Sequence, residues 1–472
     1  MIAEQHIAAL KALLGDKATV TDPALLVPHL EEWRGKFFGE TDLMLAPSCT
    51  QEAAQAVTYC AKNKLPIVPQ GGNTGLVGGS LPGLSRYTEI LISSKRMNRI
   101  LQVDTTNLSI TAEAGCTVTE LQKAAAEHGL LFPLSLASEG SCTVGGIIST
   151  NAGGVHVMRY GSTRSLVLGL EAILPSGEVY EGLSSLRKDN TGYALDQLLI
   201  GAEGTLGLVT KATFKLYPAE VQTHTLWLAV NSPADAVELL SDARTISGER
   251  VSVFEIVPHT GLEFVLSHIP DTRNPLSTKA PWYVLMEIAS SAMDPALEKS
   301  LESWLSNTLE GGKIIDGAIA TNEAQRQDFW RLRESMSEAQ KHEGGSIKHD
   351  ISVPVSSIPS FIEETTAKLE EAFPHCRVTP FGHVGDGNLH FNVMQPKDQD
   401  KNDFLANWET MNQLVHDQTV KFSGSISAEH GIGSLKKAEL ARTKPAVELT
   451  AMRSIKKALD PHNIMNPNVL FD

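Results

Sequence analysis

The stretch that decides the fold reads Pro69-Gln70-Gly71-Gly72-Asn73-Thr74-Gly75-Leu76-Val77-Gly78-Gly79. It follows a short apolar run at 66–69 that is typical of a strand, and it holds too much glycine to be helix or sheet. Glycine lacks Cβ and tolerates positive φ, so such a turn can present several backbone N–H groups to one point. This arrangement suits a pyrophosphate, although one cluster alone is explained as simply by a flexible surface loop.

Two more glycine-rich regions, 138–154 and 201–207, lie in the same half of the chain. Three such regions favour a bound nucleotide over three unrelated loops. A nicotinamide site of the Rossmann type would need G-x-G-x-x-G at the start of a helix and an acidic residue about 20 positions later. Here Leu81-Pro82-Gly83 breaks any helix and the later position holds the basic pair Lys95-Arg96, so the sequence argues against that site.

The predicted elements divide the 472 residues into three parts, in line with the two or three domains that this length suggests. In the first part β-branched runs alternate with helical patterns, which is typical of mixed α/β layers. Later the pattern changes to strands at 223–230, 251–257 and 283–288 with helices at 233–246 and 295–308, and a helix at 445–459 precedes the tail. We therefore expect a first domain at 1–217 with its core from about 39, a second domain at 218–422, and a C-terminal segment at 423–472.

Composition restricts the partners and the compartment. A net charge of -15 and a pI near 5.5 repel phosphate backbones, so nucleic acid is not an expected partner, and an anionic substrate needs cations supplied by its own site. The 5 cysteines contain no C-x-x-C pair, which predicts reduced thiols. The N-terminus lacks a basic signal region and no apolar run reaches the roughly 20 residues of a membrane span. We therefore expect a cytoplasmic protein without a transmembrane anchor.

A second candidate site lies in the segment Phe381-Gly382-His383-Val384-Gly385-Asp386-Gly387-Asn388-Leu389-His390-Phe391-Asn392. Its central Gly-Asp-Gly-Asn predicts a four-residue turn between two strands. With this turn His383 lies opposite His390, and directly opposed residues have Cβ atoms roughly 4.5–5.5 Å apart. Asn392 then falls on the same face. Two imidazoles at this separation can share a metal ion, whereas a hairpin with two surface histidines is the plain alternative.

A catalytic zinc site usually adds one carboxylate and leaves a position open to substrate. Glu429, in Ser427-Ala428-Glu429-His430-Gly431-Ile432-Gly433, is the best candidate for that carboxylate. The adjoining His430 would titrate in the range that is useful for taking a proton from an alcohol. The alternative for His430 is a structural histidine that donates to the backbone.

The third group of candidate residues is basic. The run Arg331-Leu332-Arg333-Glu334-Ser335-Met336-Ser337 lies in a helix predicted to begin near Asn322, and Lys348 follows in a separate segment. Arg333 and Ser337 are four residues apart, so they should share a helix face. Charged helix faces are usually just solvated, and this is the interpretation we take for Arg331.

These motifs resemble those of the FAD-dependent oxidoreductases of the vanillyl-alcohol oxidase family, whose FAD-binding domain is of the PCMH type. The likeness rests on the three glycine-rich regions and the C-terminal motifs, and it extends from about Leu43 to Pro467. Within the family the chain is similar to the D-2-hydroxyglutarate and D-lactate dehydrogenase group. The resemblance implies an α+β fold, with a two-subdomain PCMH-type FAD-binding domain, an α/β substrate (cap) domain, and a small C-terminal segment that returns to the FAD domain.

The resemblance implies FAD as the cofactor. Some family members attach FAD covalently through a histidine at the position of Asn73, and asparagine is no such nucleophile, so non-covalent FAD is implied. Near the end, Asn468-Val469 stands where family members commonly carry Gly-Lys, which leaves Asn466 as the tail residue carried over. The implied FAD contacts are Pro69, Gln70, Gly71, Gly72, Asn73, Thr74, Gly75, Gly78, Gly79, Pro133, Leu134, Ser138, Gly140, Ser141, Thr143, Gly146, Asn151, Gly153, Gly154, Tyr160, Gly161, Glu203, Gly204, Gly207, Val209 and Asn466.

The resemblance also implies the chemistry. It makes His383, His390 and Glu429 ligands of a divalent metal, Zn²⁺ or else Mn²⁺, which binds the 2-hydroxyl and carboxylate of a small anionic D-2-hydroxy acid. It makes His430 the catalytic base and a substrate contact, with the C2 hydride passing to flavin N5. Electrons then go to an electron-transfer flavoprotein or a quinone, and a homodimer is compatible with the family.

The expected reaction is the oxidation of D-2-hydroxyglutarate to 2-oxoglutarate. By resemblance, Arg333, Ser337 and Lys348 hold the distal carboxylate of this substrate, and Asn392 is a further substrate contact. A dicarboxylate would need such a local cation pair in an acidic protein.

Three alternatives stay open on the sequence alone. A dehydrogenase for D-lactate, glycolate or D-malate would differ only in the pocket for the distal group. An alkylglycerone-phosphate synthase on the same scaffold would use the flavin to bond a carbon intermediate, and the hairpin with His383 and His390 argues against it. A non-catalytic flavin carrier would have no reason to assemble histidines, a glutamate and cations.

Overall fold

The computed structural model describes residues 1–85 and 88–471 and divides into two compact units. Unit 1 comprises residues up to 154, residues 160–219, and the chain from 429 onward. Unit 2 comprises residues 155–159 and 220–428. The chain therefore leaves unit 1 after 219 and returns to it at 429, whereas the boundaries predicted from the sequence are 217 and 422.

The chain up to residue 219 alternates short strands and helices. Its strands are β1 (Thr19–Val20), β2 (Met44–Leu45), β3 (Ile67–Gln70), β4 (Ile90–Ser93), β5 (Ile100–Asp104), β6 (Ser109–Glu113), β7 (Leu130–Leu131), β8 (Val167–Ile173), β9 (Val179–Gly182), β10 (Leu208–Lys215) and β11 (Tyr217–Pro218). Its helices are α1 (Glu4–Leu14), α2 (Pro23–Leu30), α3 (Thr50–Asn63), α4 (Val118–Ala126), α5 (Val144–Thr150), α6 (Val157–Tyr160), α7 (Thr163–Leu166) and α8 (Asp196–Leu199).

Unit 1 contains a partly parallel sheet and an antiparallel sheet. In the first, with the order β1-β2-β4-β3, the strands β2, β4 and β3 run parallel, and α3 connects β2 to β3. The helix forms because its apolar residues recur at helical spacing, and those it buries are Ala53, Ala56, Val57 and Cys60. The second sheet has the order β5-β6-β10-β8-β9 with antiparallel neighbours. Strand β3 leads directly into the first glycine-rich stretch, as predicted.

Unit 2 is built on one long antiparallel sheet. Its strands are β12 (Gln222–Val230), β13 (Val251–Pro258), β14 (Trp282–Ser290), β15 (Asp316–Ile319), β16 (Ser346–Ser352), β17 (Arg377–His383) and β18 (Asn388–Met394). They pair in the order β15-β12-β14-β13-β17-β18-β16. Its helices are α9 (Pro233–Ser247), α10 (His259–His268), α11 (Pro295–Glu310), α12 (Glu323–Glu334), α13 (Met336–Ala339), α14 (Ile358–Ala372), α15 (Lys401–Leu405) and α16 (Trp408–Lys421).

Both faces of the unit 2 sheet are covered by helices. Successive residues of a strand point to opposite faces, and β12 shows this directly. Leu226 and Leu228 belong to a core with residues of α9, α11 and α14, whereas Trp227 and Ala229 belong to a core with residues of α10 and α12. The strands at the centre of this sheet are therefore buried on both sides.

The C-terminal segment returns to unit 1, as the expected fold requires. It contains α17 (Lys437–Thr443) and α18 (Ala446–Leu459). Ile455 and Leu459 of α18 pack against the core of the antiparallel sheet. Beyond the helix, the amide of Ile67 in β3 donates to Ile464 O at 2.8 Å, and the amide of Asn466 donates to Ile67 O at 2.8 Å. The α+β class expected from the sequence is confirmed.

No helix in the described parts of the chain is long and apolar enough to cross a membrane. The cytoplasmic location stays a prediction. The cysteines are free thiols, and those buried are Cys60, Cys116, Cys142 and Cys376.

Candidate active site

Unit 1 contains a cleft of about 460 Å³, a volume within the range of small-ligand sites. All three glycine-rich regions contribute to its walls. The predicted FAD contacts that line it are Pro69, Gln70, Gly71, Gly72, Asn73, Thr74, Gly75, Gly79, Ser138, Ser141, Thr143, Gly146, Gly153, Glu203, Gly204, Gly207 and Val209.

The other residues assigned to FAD do not line this cleft, and their contact with FAD stays a prediction. They are Gly78, Pro133, Leu134, Gly140, Asn151, Gly154, Tyr160, Gly161 and Asn466. Some of them clearly support the fold. Asn151 Oδ1 accepts hydrogen bonds from the amide of Arg164 at 2.9 Å and from Ser162 Oγ at 3.0 Å. The ring of Tyr160 packs against that of Tyr217, with centroids 4.6 Å apart.

The first two glycine-rich regions approach each other more closely than side chains would allow. A Cβ on Gly72 would lie 2.0 Å from Ser141 O, and a Cβ on Gly71 would lie 2.4 Å from Thr143 Oγ1. Real Cβ atoms do not make such contacts, so both positions require glycine. At Gly72 the wall of the cleft therefore depends on the close approach of two backbone segments, as the glycine-rich pattern predicts, whereas Gly71 lies against the side chain of Thr143.

The walls of the cleft fit a nucleotide cofactor. Thr143 Oγ1 is buried without a hydrogen-bond partner in the described part of the chain, and its residue lines the cleft. A buried hydroxyl without a partner is rare in native proteins unless a ligand or water completes it. Among the described lining residues there is no lysine or arginine, so a pyrophosphate here would depend on backbone N–H groups.

Asn73 also lines the cleft, in a left-handed conformation with φ 57°. Its Nδ2 donates to Glu31 O at 2.9 Å, and its Oδ1 accepts from Ser80 Oγ at 2.9 Å. The amide is therefore held by the backbone just after α2 and by Ser80, which follows the first glycine-rich stretch. An amide in this place offers no nucleophile to a flavin.

Glu203 fixes the loop that carries His430. Its carboxylate accepts the amides of Ile432 at 2.9 Å and Gly433 at 2.8 Å. Burial raises the pKa of Glu203, while these two amides act in the opposite direction. Asn466 completes the connection, because its Nδ2 donates to Gly79 O and to Glu203 O at 2.8 Å each. Asn466 thus links the first and third glycine-rich regions of the cleft.

Glu429 and His430, predicted as metal ligand and base, both line the cleft of unit 1. His430 Nε2 lies 3.6 Å from Glu429 Oε1, and both side chains are partly exposed. The described contacts of the loop therefore hold an imidazole beside the position proposed for FAD.

In unit 2 the hairpin of His383 and His390 is present, but the predicted register is wrong by two residues. His390 pairs with Phe381 rather than with His383. The loop is longer than predicted, because residues 384–386 form a turn of 3-10 helix and Gly387 follows with φ 88°. A shift of two residues keeps the same faces, so the two imidazoles still meet, with ring centroids 5.6 Å apart.

Glu255 is a site residue that the sequence reasoning missed. It lies in β13, is 0% exposed, and pairs in register with His383 of β17. Its Oε2 accepts from Arg333 Nε at 2.6 Å, and its Oε1 is hydrogen-bonded to His383 Nδ1. Burial alone would raise the pKa of Glu255, but Arg333 and His383 outweigh it and lower that pKa to about 2. The available signal is a single acidic residue in a strand whose other residues, apart from Ser252, are apolar.

The predicted substrate-binding residues are only partly brought together. Arg333 is buried, and its Cζ lies 4.9 Å from the ring centroid of Phe381. Lys348 and Asn392 are directly paired between β16 and β18, and Asn392 Nδ2 donates to Gln340 Oε1 at 2.8 Å. Ser337 is exposed and lies in α13, beyond the end of α12 at Glu334, so the predicted common helix face with Arg333 is not found.

Comparison with known proteins places the chain in a family. A model described as "FAD binding domain" matches residues 41–182, and a model described as "FAD linked oxidases, C-terminal domain" matches residues 220–470. The chain therefore belongs to the FAD-linked oxidase family, and it is an FAD-dependent oxidoreductase. The family resemblance and the FAD cofactor predicted from the sequence are confirmed.

Relatives with similar sequences cover nearly the whole chain. The mitochondrial D-2-hydroxyglutarate dehydrogenase of Arabidopsis thaliana is 39% identical over 463 residues, which is 98% of this chain and 81% of the relative. The D-2-hydroxyglutarate dehydrogenase of Xanthomonas citri pv. viticola is 37% identical over 96% of this chain and 94% of its own. A Schizosaccharomyces pombe protein named as a candidate mitochondrial D-lactate dehydrogenase is 35% identical over 99% and 90%.

Solved structures share the fold at low sequence identity. An alkyldihydroxyacetonephosphate synthase has a TM-score of 0.76 and 17% identity, covering 99% of this chain and 86% of its own. A p-cresol methylhydroxylase has a TM-score of 0.73 and 16% identity, covering 98% and 96%. These likenesses support the PCMH-type fold alone.

Proposed function

We propose that this protein oxidises D-2-hydroxyglutarate to 2-oxoglutarate. The observation that carries the proposal is the grouping in unit 2 of two histidines and a buried arginine, in which Glu255 joins Arg333 to His383. Such a group offers nitrogen ligands for a metal together with a cation for a carboxylate. The names of the Arabidopsis and Xanthomonas relatives support this substrate.

A divalent metal, Zn²⁺ or Mn²⁺, would be held by His383, His390 and Glu429. It would supply a Lewis acid that lowers the pKa of the substrate hydroxyl. The chain path supports Glu429 as the third ligand. The amide of Ala428 donates to Asp350 O at 3.4 Å, Asp350 pairs with His390, and a peptide bond joins Ala428 to Glu429.

The chain's own residues then have separate tasks. His430 takes the proton of the substrate hydroxyl. Lys348 and Arg333 bind the distal carboxylate, with Asn392 and Ser337 as further contacts. FAD, when bound, supplies the acceptor for the C2 hydride, and we propose that it is held non-covalently because Asn73 stands at the linkage position. An electron-transfer flavoprotein or a quinone is proposed as the final acceptor.

Replacing Lys348 tests this substrate assignment. Lys348→Ala should lower kcat/KM for D-2-hydroxyglutarate by about tenfold to hundredfold, because a charge-assisted hydrogen bond contributes about 1.5–3 kcal/mol. Turnover of D-lactate, which lacks the second carboxylate, should stay nearly unchanged. Lys421→Ala is the control, since Lys421 pairs with Glu364 at the surface of the same unit. An equal loss of kcat/KM for both substrates would show that Lys348 does not bind the distal carboxylate.

D-Lactate oxidation is the second candidate, because a relative with 35% identity carries that name. The two candidates differ in one measurement. A wild-type kcat/KM that is higher for D-lactate than for D-2-hydroxyglutarate would reject the first proposal and favour the second.

A further inference from the structure

The carboxylate of Glu255 has two partners of different kinds. One oxygen accepts from Arg333 Nε at 2.6 Å, and the other is hydrogen-bonded to Nδ1 of His383. Every residue of β13 is buried, so this carboxylate has no access to water that could replace either partner. Glu255 is therefore fixed at both oxygens.

We propose that Glu255 is a positioning residue that sets the tautomer of His383 and the orientation of Arg333. The inference rests on the proposed function, in which His383 binds a metal and Arg333 binds a carboxylate. It adds a single group that holds both partners in one geometry.

The tautomer follows from the hydrogen-bonding chemistry of the three side chains. An ionised carboxylate only accepts and a guanidinium only donates. His383 must therefore carry a proton on Nδ1 to bond Glu255. A neutral imidazole with its proton on Nδ1 presents a lone pair on Nε2, which is the form that binds metals.

The orientation of Arg333 follows from the same contact. Glu255 takes Nε, and the guanidinium lies over the ring of Phe381 at 4.9 Å. In the described part of the chain neither Nη of Arg333 makes a hydrogen bond. The two Nη groups of Arg333 therefore stay available for a substrate carboxylate, which an arginine can bind with two parallel hydrogen bonds.

The neighbouring strand β14 contains a similar buried glutamate, which is paired with an arginine but not with a histidine. Glu287 in β14 is 2% exposed and pairs with Val253 of β13. It accepts from Arg326 at 2.6 Å and 3.1 Å and from Trp330 Nε1 at 2.8 Å. Glu287 is thus a second buried glutamate of the same sheet that is paired with an arginine, here the partly exposed Arg326. Glu287→Gln is therefore a control for general damage to the sheet.

The experiment compares Glu255→Gln with Glu287→Gln. Glutamine has one oxygen and one NH₂ group, and the oxygen must face Arg333 because the guanidinium only donates. The NH₂ group then donates to Nδ1 of His383 and moves the imidazole proton to Nε2, where it blocks the metal. The measurement is the dissociation constant for Zn²⁺ of each FAD-loaded protein by competition with a chelator, together with the FAD content.

We expect Glu255→Gln to bind Zn²⁺ about tenfold to hundredfold more weakly than wild type, at unchanged FAD content. Glu287→Gln should bind Zn²⁺ like wild type. Equal affinities in wild type and Glu255→Gln would overturn the inference alone, and so would an equal loss in Glu287→Gln. A wild-type protein that binds no Zn²⁺ would overturn the proposed metal site and this inference with it.

If Glu255→Gln does not fold, the same Zn²⁺ affinity is measured for Glu255→Asp. Aspartate keeps the charge opposite Arg333, but it is one methylene shorter and cannot reach both partners. Weaker Zn²⁺ binding by this folded variant would support the positioning role. Wild-type affinity would overturn it.

Discussion

Gly72 and Gly75 lie in the same loop but have different neighbours. A Cβ on Gly72 would meet the backbone oxygen of Ser141 at 2.0 Å, whereas a Cβ on Gly75 would meet nothing within 4 Å. The first position is a contact between two loops and the second is open. The sequence shows that both positions are glycine, but it does not show what surrounds each of them.

This difference predicts different outcomes for the same substitution. Gly72→Ala should destabilise the FAD-free protein by about 1–3 kcal/mol, as overpacking does when backbone must move. Gly75→Ala should change the free energy of unfolding by less than about 0.5 kcal/mol. Urea unfolding of both FAD-free variants measures this. Equal stability of the two variants would mean that the loops are not packed against each other as described.

The residues of unit 2 show which parts of the candidate site can be predicted from the sequence. The spacing of His383 and His390 around a turn predicts their approach, whereas Lys348 and Arg333 are assigned through the family resemblance. Glu255 was missed, because its role depends on a pairing between β13 and β17 across 128 residues of sequence. No local pattern contains that information.

At the level of elements, helix ends were predicted well where the caps are visible in the sequence. Ser232 accepts from the amide of Asp235, Pro233 begins α9, and Gly248 ends it with φ 61°. The helix predicted to begin near Asn322 does so, since Asn322 accepts from the amide of Gln325. The predicted hairpin register was wrong because a turn of 3-10 helix sets the length of the loop. The sequence Gly-Asp-Gly-Asn does not reveal this turn.

Glu171 connects three elements of unit 1. Its carboxylate accepts from Thr50 at the start of α3 at 2.5 Å and from Thr210 of β10 at 2.7 Å, and it binds Lys211 Nζ at 2.9 Å and 3.0 Å. Burial alone would raise the pKa of Glu171, but these partners lower it below the usual value. The ionised carboxylate therefore stabilises the folded state.

This connection predicts a pH-dependent stability. A carboxylate with a lowered pKa in the folded state stabilises the protein above its unfolded pKa of about 4.3, and this contribution is lost as the pH falls through the folded pKa. Glu171→Gln should be less stable than wild type by about 1–3 kcal/mol at neutral pH, with a smaller difference below about pH 4. Urea unfolding at several pH values measures it, with the exposed Glu178→Gln as control. A difference that does not change with pH would contradict the role of the charge.

At the level of the whole molecule, unit 1 is assembled from distant parts of the chain. Glu203 holds the amide of Gly433 across 230 residues, and Asn466 reaches Gly79 across 387. These contacts bring His430 to the cleft. The motif and the family resemblance predict that this loop belongs to the site. The hydrogen bonds that fix the loop are visible only in the folded chain.

The proposed FAD-dependent oxidation of a D-2-hydroxy acid can be tested in one measurement. The FAD-loaded protein is mixed with D-2-hydroxyglutarate under argon, and the visible absorbance of the flavin is followed, with the L-enantiomer and a chelator-treated sample beside it. We expect rapid bleaching by the D-enantiomer alone, and much slower bleaching after metal removal although FAD stays bound. Absence of bleaching by D-2-hydroxyglutarate, or equal rates for both enantiomers, would contradict it.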